Sequence, residues 1–234
     1  MPNWCSNTLQ VRIPPELADK FLEAVGGRQY DHNPVEVLCA HKIIPYPKEY
    51  MDRDRICHNI LGKEHGFVVE CPKCGPMNST KAPYSKADKK HHCATCGSIC
   101  TDFKDGFNSG GYEWCAQHWG TKWGFCEPRL VQRSYQLVGK KNITQLSFEF
   151  DTAWRPPSPL IAAMATQWPQ ATFHMCYKLE EGGGGTEEYA VGERRQRTMH
   201  ETDEEDGDLV PMQRLGCWIR RGYRLVTRPH IIKL

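Results

Sequence analysis

Apolar and polar residues alternate from Thr8 to Ile13, which predicts a half-buried strand near the start of the chain. Pro14 and Pro15 then begin a helix, which the glycine pair 26–27 ends. Residues 35–47 are expected to form an extended segment that ends in a proline turn, and residues 48–65 a loop or a short helix. The apolar positions of the predicted first helix are Leu17, Phe21, Ala24 and Val25.

A second pattern begins at residue 143. Alternating Leu146, Phe148 and Phe150 predict a strand, and the segment 151–157 is expected to break it. Ser158 and Pro159 suit the cap and first turn of a helix over 159–168. A further alternation, at Phe173, Met175 and Tyr177, predicts the next strand.

Strand, helix and strand over 143–178 favour a right-handed crossover onto one sheet, which is half of a ferredoxin-like sandwich. The glycines at 182–185 predict a turn into another antiparallel strand over 187–191. The predicted fold class is therefore α+β, with a ferredoxin-like antiparallel sheet, helices packed on one face and an inserted four-cysteine zinc ribbon. The expected organisation is a body (1–65 and 103–193), the insertion (66–102) and a C-terminal extension (194–234).

Cysteine is the unusual component of the composition. Twelve cysteines in 234 residues are about 5%, below the roughly 8–10% that marks a disulfide scaffold. The N-terminus lacks a basic region followed by an apolar core, and no apolar run is long enough to span a membrane. We therefore expect a cytoplasmic protein, where paired cysteines serve metals more often than disulfides.

Two CxxC knuckles form the strongest motif. Cys71 and Cys74 are separated from Cys93 and Cys96 by 18 residues, which is the spacing of a four-cysteine zinc ribbon. Four thiolates leave no open position on the ion, so the predicted cofactor is one structural Zn²⁺ and not a water activator. Three neighbouring residues remain possible substitutes for one ligand: His91, His92 and Cys100.

Charge is distributed unevenly along the chain. Thirty basic against 28 acidic residues give only +2, which excludes a strong field over the whole molecule. Residues 71–100 carry +4, residues 201–208 hold six acids, and residues 214–234 hold six bases and no acid. The candidate contacts to nucleic acid or to a partner are Lys73, Lys81, Lys86, Lys89, Lys90, Arg220, Arg221 and Arg224. A basic insertion that only stabilises the fold is the competing interpretation.

Catalysis has weaker candidates. Cys115 and His118 are three residues apart on one predicted helix, a spacing that seldom aligns a thiol with its base. Asp151 follows a strand, but no second carboxylate is placed beside it, so a role in the turn is favoured. We expect no enzymatic activity.

Four separated motifs carry a resemblance to a known family: Asn3–Asn7, Lys42–Pro47, Gly111–Trp123 and Phe150–Pro157. Together they resemble the YubB-type family of phage, plasmid and genomic-island proteins, over about residues 3–47 and 107–191. The resemblance implies a ferredoxin-like C-terminal region and carries no catalytic residues. It leaves out the zinc-ribbon insertion and the C-terminal extension.

The resemblance leads to a functional hypothesis. We expect a non-enzymatic, zinc-binding accessory protein of a phage or mobile element, in the cytoplasm of a bacterial host cell. It would bind nucleic acid or a host nucleic-acid-handling complex, in host takeover or defence inhibition. The alternatives are an inhibitor that contacts only a host protein and an enzyme that uses Cys115 with His118, or Asp151.

Overall fold

A computed structural model describes residues 3–28, 34–62, 65–139, 141–190, 193–201, 209–211, 218–220, 223–225 and 230–233, with side chains up to residue 190. The helices are α1 (Pro15–Val25), α2 (Ala40–Ile43), α3 (Lys48–Leu61), α4 (Gly111–His118) and α5 (Ser158–Gln167). The strands are β1 (Trp4–Ile13), β2 (Val68–Cys71), β3 (Gly75–Asn78), β4 (Tyr84–Ser85), β5 (Lys90–His92), β6 (Ile99–Asp102), β7 (Cys126–Val138), β8 (Lys141–Ala153), β9 (Thr172–Leu179), β10 (Gly184–Ala190), β11 (Glu193–Glu201), β12 (Leu209–Pro211), β13 (Trp218–Arg220), β14 (Tyr223–Leu225) and β15 (His230–Lys233). No helix in these ranges is long and apolar enough to cross a membrane.

The chain divides into two compact units, Met1–Pro45 with Cys115–Leu234, and Tyr46–Trp114. The first unit contains an eight-stranded sheet in the order β14-β11-β10-β9-β1-β8-β7, with β15 also paired to β11. Its strands β9-β1-β8-β7 and helices α1 and α5 have the connectivity of a ferredoxin-like fold. Residues 194–234, expected as an extension, contribute β11, β14 and β15 to this sheet.

The core of the first unit lies between the sheet and α1 and α5. Alternate residues of β1 are buried, with Leu9, Val11 and Ile13 fully inaccessible. The Phe21 ring on α1 contacts the Phe148 ring, at a centroid distance of 6.5 Å. It also packs against Phe173 on β9, at 6.0 Å, and Trp168 after α5, at 5.4 Å. The Phe21 side chain of α1 thus packs against β8, β9 and the residue that follows α5.

The second unit is built on a small five-stranded sheet in the order β3-β2-β6-β5-β4. Helix α3 precedes it and packs against β2 and β3. No residue of α3 is fully buried, and its Lys48 and Arg55 side chains pair with Asp52 at 3.6 and 3.5 Å. Ion pairs between residues three or four positions apart stabilise a helix even where no apolar face is buried.

The predicted strand at 8–13, the helix after Pro14, the helix over 159–168 and the strands at 173–177 and 187–190 are confirmed. Three expectations are wrong in detail. Residues 40–43 form the short helix α2, and residues 48–61 form a long helix where a loop or short helix was expected. Strand β8 continues through Ala153, because residues 151–153 keep their pairing with β1. The acidic residues 202–208 lie outside the described residues.

Truncation of the central ring tests the core. We expect Phe21→Ala to lower the free energy of unfolding of the first unit by about 3–5 kcal/mol, because the cavity removes contacts to both strands. Glu23→Ala, on the exposed side of the same helix, serves as the control and should change it by less than about 0.5 kcal/mol. Chemical denaturation of both variants measures this, and equal unfolding midpoints would contradict the assigned core.

Candidate metal centre and the positions of the sequence motifs

Four cysteine side chains converge in the second unit. The Sγ atoms of Cys71, Cys74, Cys93 and Cys96 all lie within 4.8 Å of one another. The Cys71 and Cys96 sulfurs are 3.4 Å apart, and those of Cys93 and Cys74 are 3.9 Å apart. A tetrahedral ion with metal–sulfur bonds of about 2.3 Å requires sulfurs about 3.8 Å apart. The cluster therefore has the geometry of a site that can hold one metal ion.

Two tight turns place these thiols. The first knuckle joins β2 to β3, and the second lies between β5 and β6. Gly75 and Gly97 follow the knuckles with φ of 82° and 72°, a region of backbone conformation that favours glycine. The Gly97 N–H donates to the Cys93 carbonyl at 2.8 Å and closes the second turn. The glycine after each CxxC motif is thus required by the backbone.

The surroundings of the thiols favour a mixture of protonation states. Hydrogen bonds from the Ser98 hydroxyl and backbone N–H lower the pKa of Cys96 to about 6. The backbone N–H groups of Cys96 and Thr95 lower the pKa of Cys93. Hydrogen bonding to the Cys96 and Cys93 sulfurs raises the pKa of Cys74 to about 12. The hydrogen bonds of the second knuckle therefore favour the thiolate, the form in which cysteine binds metal.

The three possible substitute ligands lie outside this cluster. The His91 Nδ1 atom is 2.7 Å from the Ala82 carbonyl, and the His92 Nε2 atom is 2.6 Å from an Asp88 oxygen. The Cys100 thiol donates to the Ser98 carbonyl at 3.7 Å, and burial raises its pKa. These contacts leave the four knuckle cysteines as the ligand set.

Four of the seven residues in the core of the small sheet are cysteines, and three of these four belong to the knuckles. Val69 and Ala82 are its fully buried aliphatic side chains, and Met77 packs against them. The remaining members are Cys71, Cys93, Cys96 and Cys100. A core of this size contributes little hydrophobic free energy, and small domains of this kind usually need a metal or a disulfide.

The five lysines predicted as contacts are all exposed. Lys86, Lys89 and Lys90 lie in or beside the turn between β4 and β5, while Lys73 lies within the first knuckle and Lys81 ends a short 3₁₀ turn. Asp88 pairs with His92, and this hydrogen bond raises the pKa of His92. The turn therefore presents three cations beside an acid that already has a partner. Arg220 and Arg224 lie in β13 and β14, and Arg221 lies outside the described residues.

Segments of three motifs that carried the family resemblance meet at one end of the first unit. The Trp4 and Trp123 rings contact edge to face at 6.5 Å. The Lys122 ammonium lies 4.8 Å from the Trp123 ring centre and 5.2 Å from that of Trp154. Thr121 donates its hydroxyl to the Ala153 carbonyl at 3.0 Å. These contacts were not predicted, because the sequence alone does not show that Trp4 meets Trp123, about 120 positions later, or that Lys122 meets Trp154, 32 positions later.

Trp154 is held in an uncommon backbone conformation. Its φ is +72°, and its N–H donates to the Asn3 carbonyl at 2.8 Å. On its other side, the Thr152 hydroxyl donates to the Arg155 carbonyl at 2.7 Å. A left-handed conformation at a bulky residue costs of order 1–3 kcal/mol, so these bonds hold Trp154 in place against that cost.

A buried polar group lies under α5. Glu187 is fully inaccessible, and its carboxylate accepts hydrogen bonds from the Ser158 hydroxyl at 3.0 Å and from the Tyr189 hydroxyl. Ser158 was expected to cap α5, but it is the first residue of this helix and Pro157 occupies the cap position. The Ser158 hydroxyl donates to Glu187 and makes no capping hydrogen bond. Cys5 lies nearby, and burial raises its pKa to about 12, which keeps this thiol protonated.

The candidate catalytic residues lie on two elements, the helix α4 and the strand β8. Cys115 and His118 lie on α4, and Cys115 is 2% exposed. Asp151 lies on β8 opposite Ser6 of β1, on the face of the sheet away from the buried residues of β1. Of the other cysteines outside the two knuckles, Cys5, Cys39 and Cys100 are buried, and Cys57, Cys126 and Cys176 are half-buried. Cys217 lies outside the described residues.

Comparisons with known proteins identify the domain but not an activity. Residues 134–211, about a third of the chain, match a family model described as a ferredoxin-like domain in Api92-like protein. A solved structure of protein api92 from Yersinia pseudotuberculosis aligns over 81% of this chain and 95% of its own, at 10% identity and a TM-score of 0.36. A search of curated proteins found no match. The ferredoxin-like domain is thus confirmed, while the YubB-type resemblance is not.

Acid should destabilise the first unit through His41. Burial lowers the pKa of His41 to about 4, and its ring lies 5.1 Å from that of Trp119. The unfolded chain takes up this proton near pH 6.5, so stability falls as the pH drops from about 6.5 towards about 4, by up to about 3 kcal/mol. As the pH is lowered across this range, the denaturation midpoint of His41→Phe should fall less than that of the wild-type protein. Identical pH dependence in both proteins would contradict this assignment.

Proposed function

We propose that Cys71, Cys74, Cys93 and Cys96 hold one Zn²⁺ ion with a structural role. Four thiols at tetrahedral spacing suit zinc, whose protein sites are mostly tetrahedral with cysteine or histidine ligands. A ligand set made only of thiolates leaves no position for a reactive water. The observation that carries this proposal is the convergence of both knuckles onto one point.

The expected consequence of zinc binding is stability of the second unit. Three of the four ligands, Cys71, Cys93 and Cys96, belong to its small core, so the free energy of metal binding becomes free energy of folding. The first unit has an aromatic and aliphatic core of its own and should not require the ion.

Zinc content and Cys74→Ser test this role. We expect about one zinc per chain in the wild-type protein and loss of the ion in Cys74→Ser, because three thiolates bind zinc much more weakly than four. Limited proteolysis should then cut within residues 66–102 while the first unit stays intact. Cys57→Ser, a half-buried cysteine of the same unit outside the cluster, is the control and should retain the ion. Full zinc content in Cys74→Ser would refute the proposed site.

We further propose that the basic turn of this zinc-stabilised unit contacts nucleic-acid phosphates. Lys86, Lys89 and Lys90 are close in sequence at one exposed turn, and the nearby Asp88 is engaged by His92. Lysines placed in this way bind phosphates mainly through release of counterions. In this proposal the protein is a non-enzymatic accessory protein of a phage or mobile element, acting on a host nucleic-acid-handling complex in the bacterial cytoplasm.

Salt dependence tests the phosphate contacts. If three lysines each neutralise one phosphate, the affinity for duplex DNA should fall about 40-fold between about 50 and 200 mM salt. Replacement of Lys86, Lys89 and Lys90 by glutamine should remove most of that dependence. Fluorescence anisotropy with labelled DNA and RNA measures both effects.

A matched triple variant controls for net charge. Lys20, Lys141 and Lys178 are exposed lysines of the first unit, and their replacement by glutamine removes the same charge. Equal effects of the two triple variants, or no binding to DNA or RNA at low salt, would contradict the phosphate contacts. Recovery of one host protein in nuclease-treated pull-downs would then support the alternative of a protein inhibitor.

A further inference from the structure

Strand β7 ends the main sheet and leaves one edge open. Among the described strands it pairs only with β8, and its other edge lies beside none of them. Its outer half carries large exposed apolar side chains, with Val131 49%, Tyr135 69%, Leu137 71% and Val138 54% accessible. Soluble proteins usually protect such an edge, because it is a template for pairing with another strand.

The open edge of β7 carries few of the charged residues that usually block pairing with another strand. Charged side chains are a common means of blocking an edge. Between Leu130 and Val138 the only charged residue is Arg133, and its guanidinium is 2.6 Å from the Asp19 carboxylate on α1. The remaining charge on the segment is therefore small. A bulge between Leu130 and Gln132 interrupts the pairing with β8, and the pairing is regular from Gln132 to Val138.

The sequence of this segment is complementary to itself. Residues 130–138 read LVQRSYQLV, and reversal about Ser134 places chemically matched residues opposite each other. In the regularly paired part of the strand, Gln132 then faces Gln136 and Arg133 faces Tyr135. Leu130 and Val131, which the same register brings towards Val138 and Leu137, lie at the bulge. A shift of the centre to residue 133 places Arg129 opposite Leu137, and a shift to residue 135 places Arg133 there. Of these three registers, only the one centred on Ser134 places no arginine opposite Leu137.

We propose that β7 of one chain pairs antiparallel with β7 of a second copy, about a two-fold axis at Ser134. The occupant of the open edge is then this same segment, and the two eight-stranded sheets join into one. A two-fold interface uses the same surface twice, so it requires a self-complementary segment of this kind. Cross-strand apolar pairs, amide pairs and the contact of Arg133 with the Tyr135 ring of the second copy stabilise the pairing.

This inference is independent of the zinc and phosphate proposals, because it concerns residues of the first unit only. It predicts that the full chain is a dimer, with about twice the monomer mass of 26.9 kDa in light scattering after size exclusion. Tyr135→Arg places two arginines opposite each other at two equivalent positions and should weaken the dimer at least tenfold. Tyr135→Glu, which faces Arg133 of the second copy, is the matched variant and should keep it.

Cysteine cross-linking tests the register. In antiparallel pairs the opposing Cα atoms are about 4.5–5.5 Å apart, within the range of a disulfide. Ser134→Cys should therefore form a 134–134 cross-link on mild oxidation, identified by peptide mass because other cysteines are present. Gln132→Cys should not link to itself, since the two copies of residue 132 lie about 14 Å apart along the strand. Mixing Gln132→Cys with Gln136→Cys should restore the cross-link.

Three results would overturn the proposal. The wild-type chain could remain a monomer at all concentrations, or its dimer could persist unchanged in Tyr135→Arg. Cysteine at 134 could also cross-link no better than cysteine at 132. Circular dichroism of the two Tyr135 variants shows whether each is folded, and the 69% exposure of this side chain predicts that both are.

Discussion

Strand β1 is the constraint on which the first unit depends. It pairs antiparallel with β8 over ten residues and with β9 over eight, so its two neighbours run parallel to each other. Parallel strands cannot be joined by a hairpin, and α5 supplies the crossover between them. The Phe21 ring of α1 contacts Phe148 of β8 and Phe173 of β9, the two strands between which β1 lies.

The second unit depends on a different interaction. Its sheet is made of strands of two to four residues, and its buried side chains are few. In the first unit an apolar core holds the strands together, whereas in the second unit we expect a metal ion bound by the four thiols to do so. A bound ion would fix both knuckles at once, so the ribbon requires less apolar burial than its length would otherwise demand.

The sequence pattern predicted a strand, helix or ligand cluster correctly where the residues that determine it lie close together in the chain. The CxxC spacing predicted the cluster of four sulfurs, alternation predicted β1 and β9, and the glycines at 182–185 predicted the turn into β10. Helix α3 was missed because it lacks a buried stripe and depends on pairs such as Lys48 with Asp52. The end of β8 was misplaced because a distant strand, β1, holds Asp151, Thr152 and Ala153 in register. The cap role of Ser158 was wrong because Glu187, 29 residues later, accepts its hydroxyl.

The sequence by itself determined which four cysteines lie together, and where the first strand and the two helices of the ferredoxin-like half, α1 and α5, lie. These properties follow from spacing and periodicity within short segments. Only the tertiary structure decided that Trp4 meets Trp123 and Lys122 meets Trp154, that Glu187 is buried, and that β7 is the last of the described strands at its end of the sheet. Each of these depends on which distant strands pair, and that choice is made by the packing of the whole sheet.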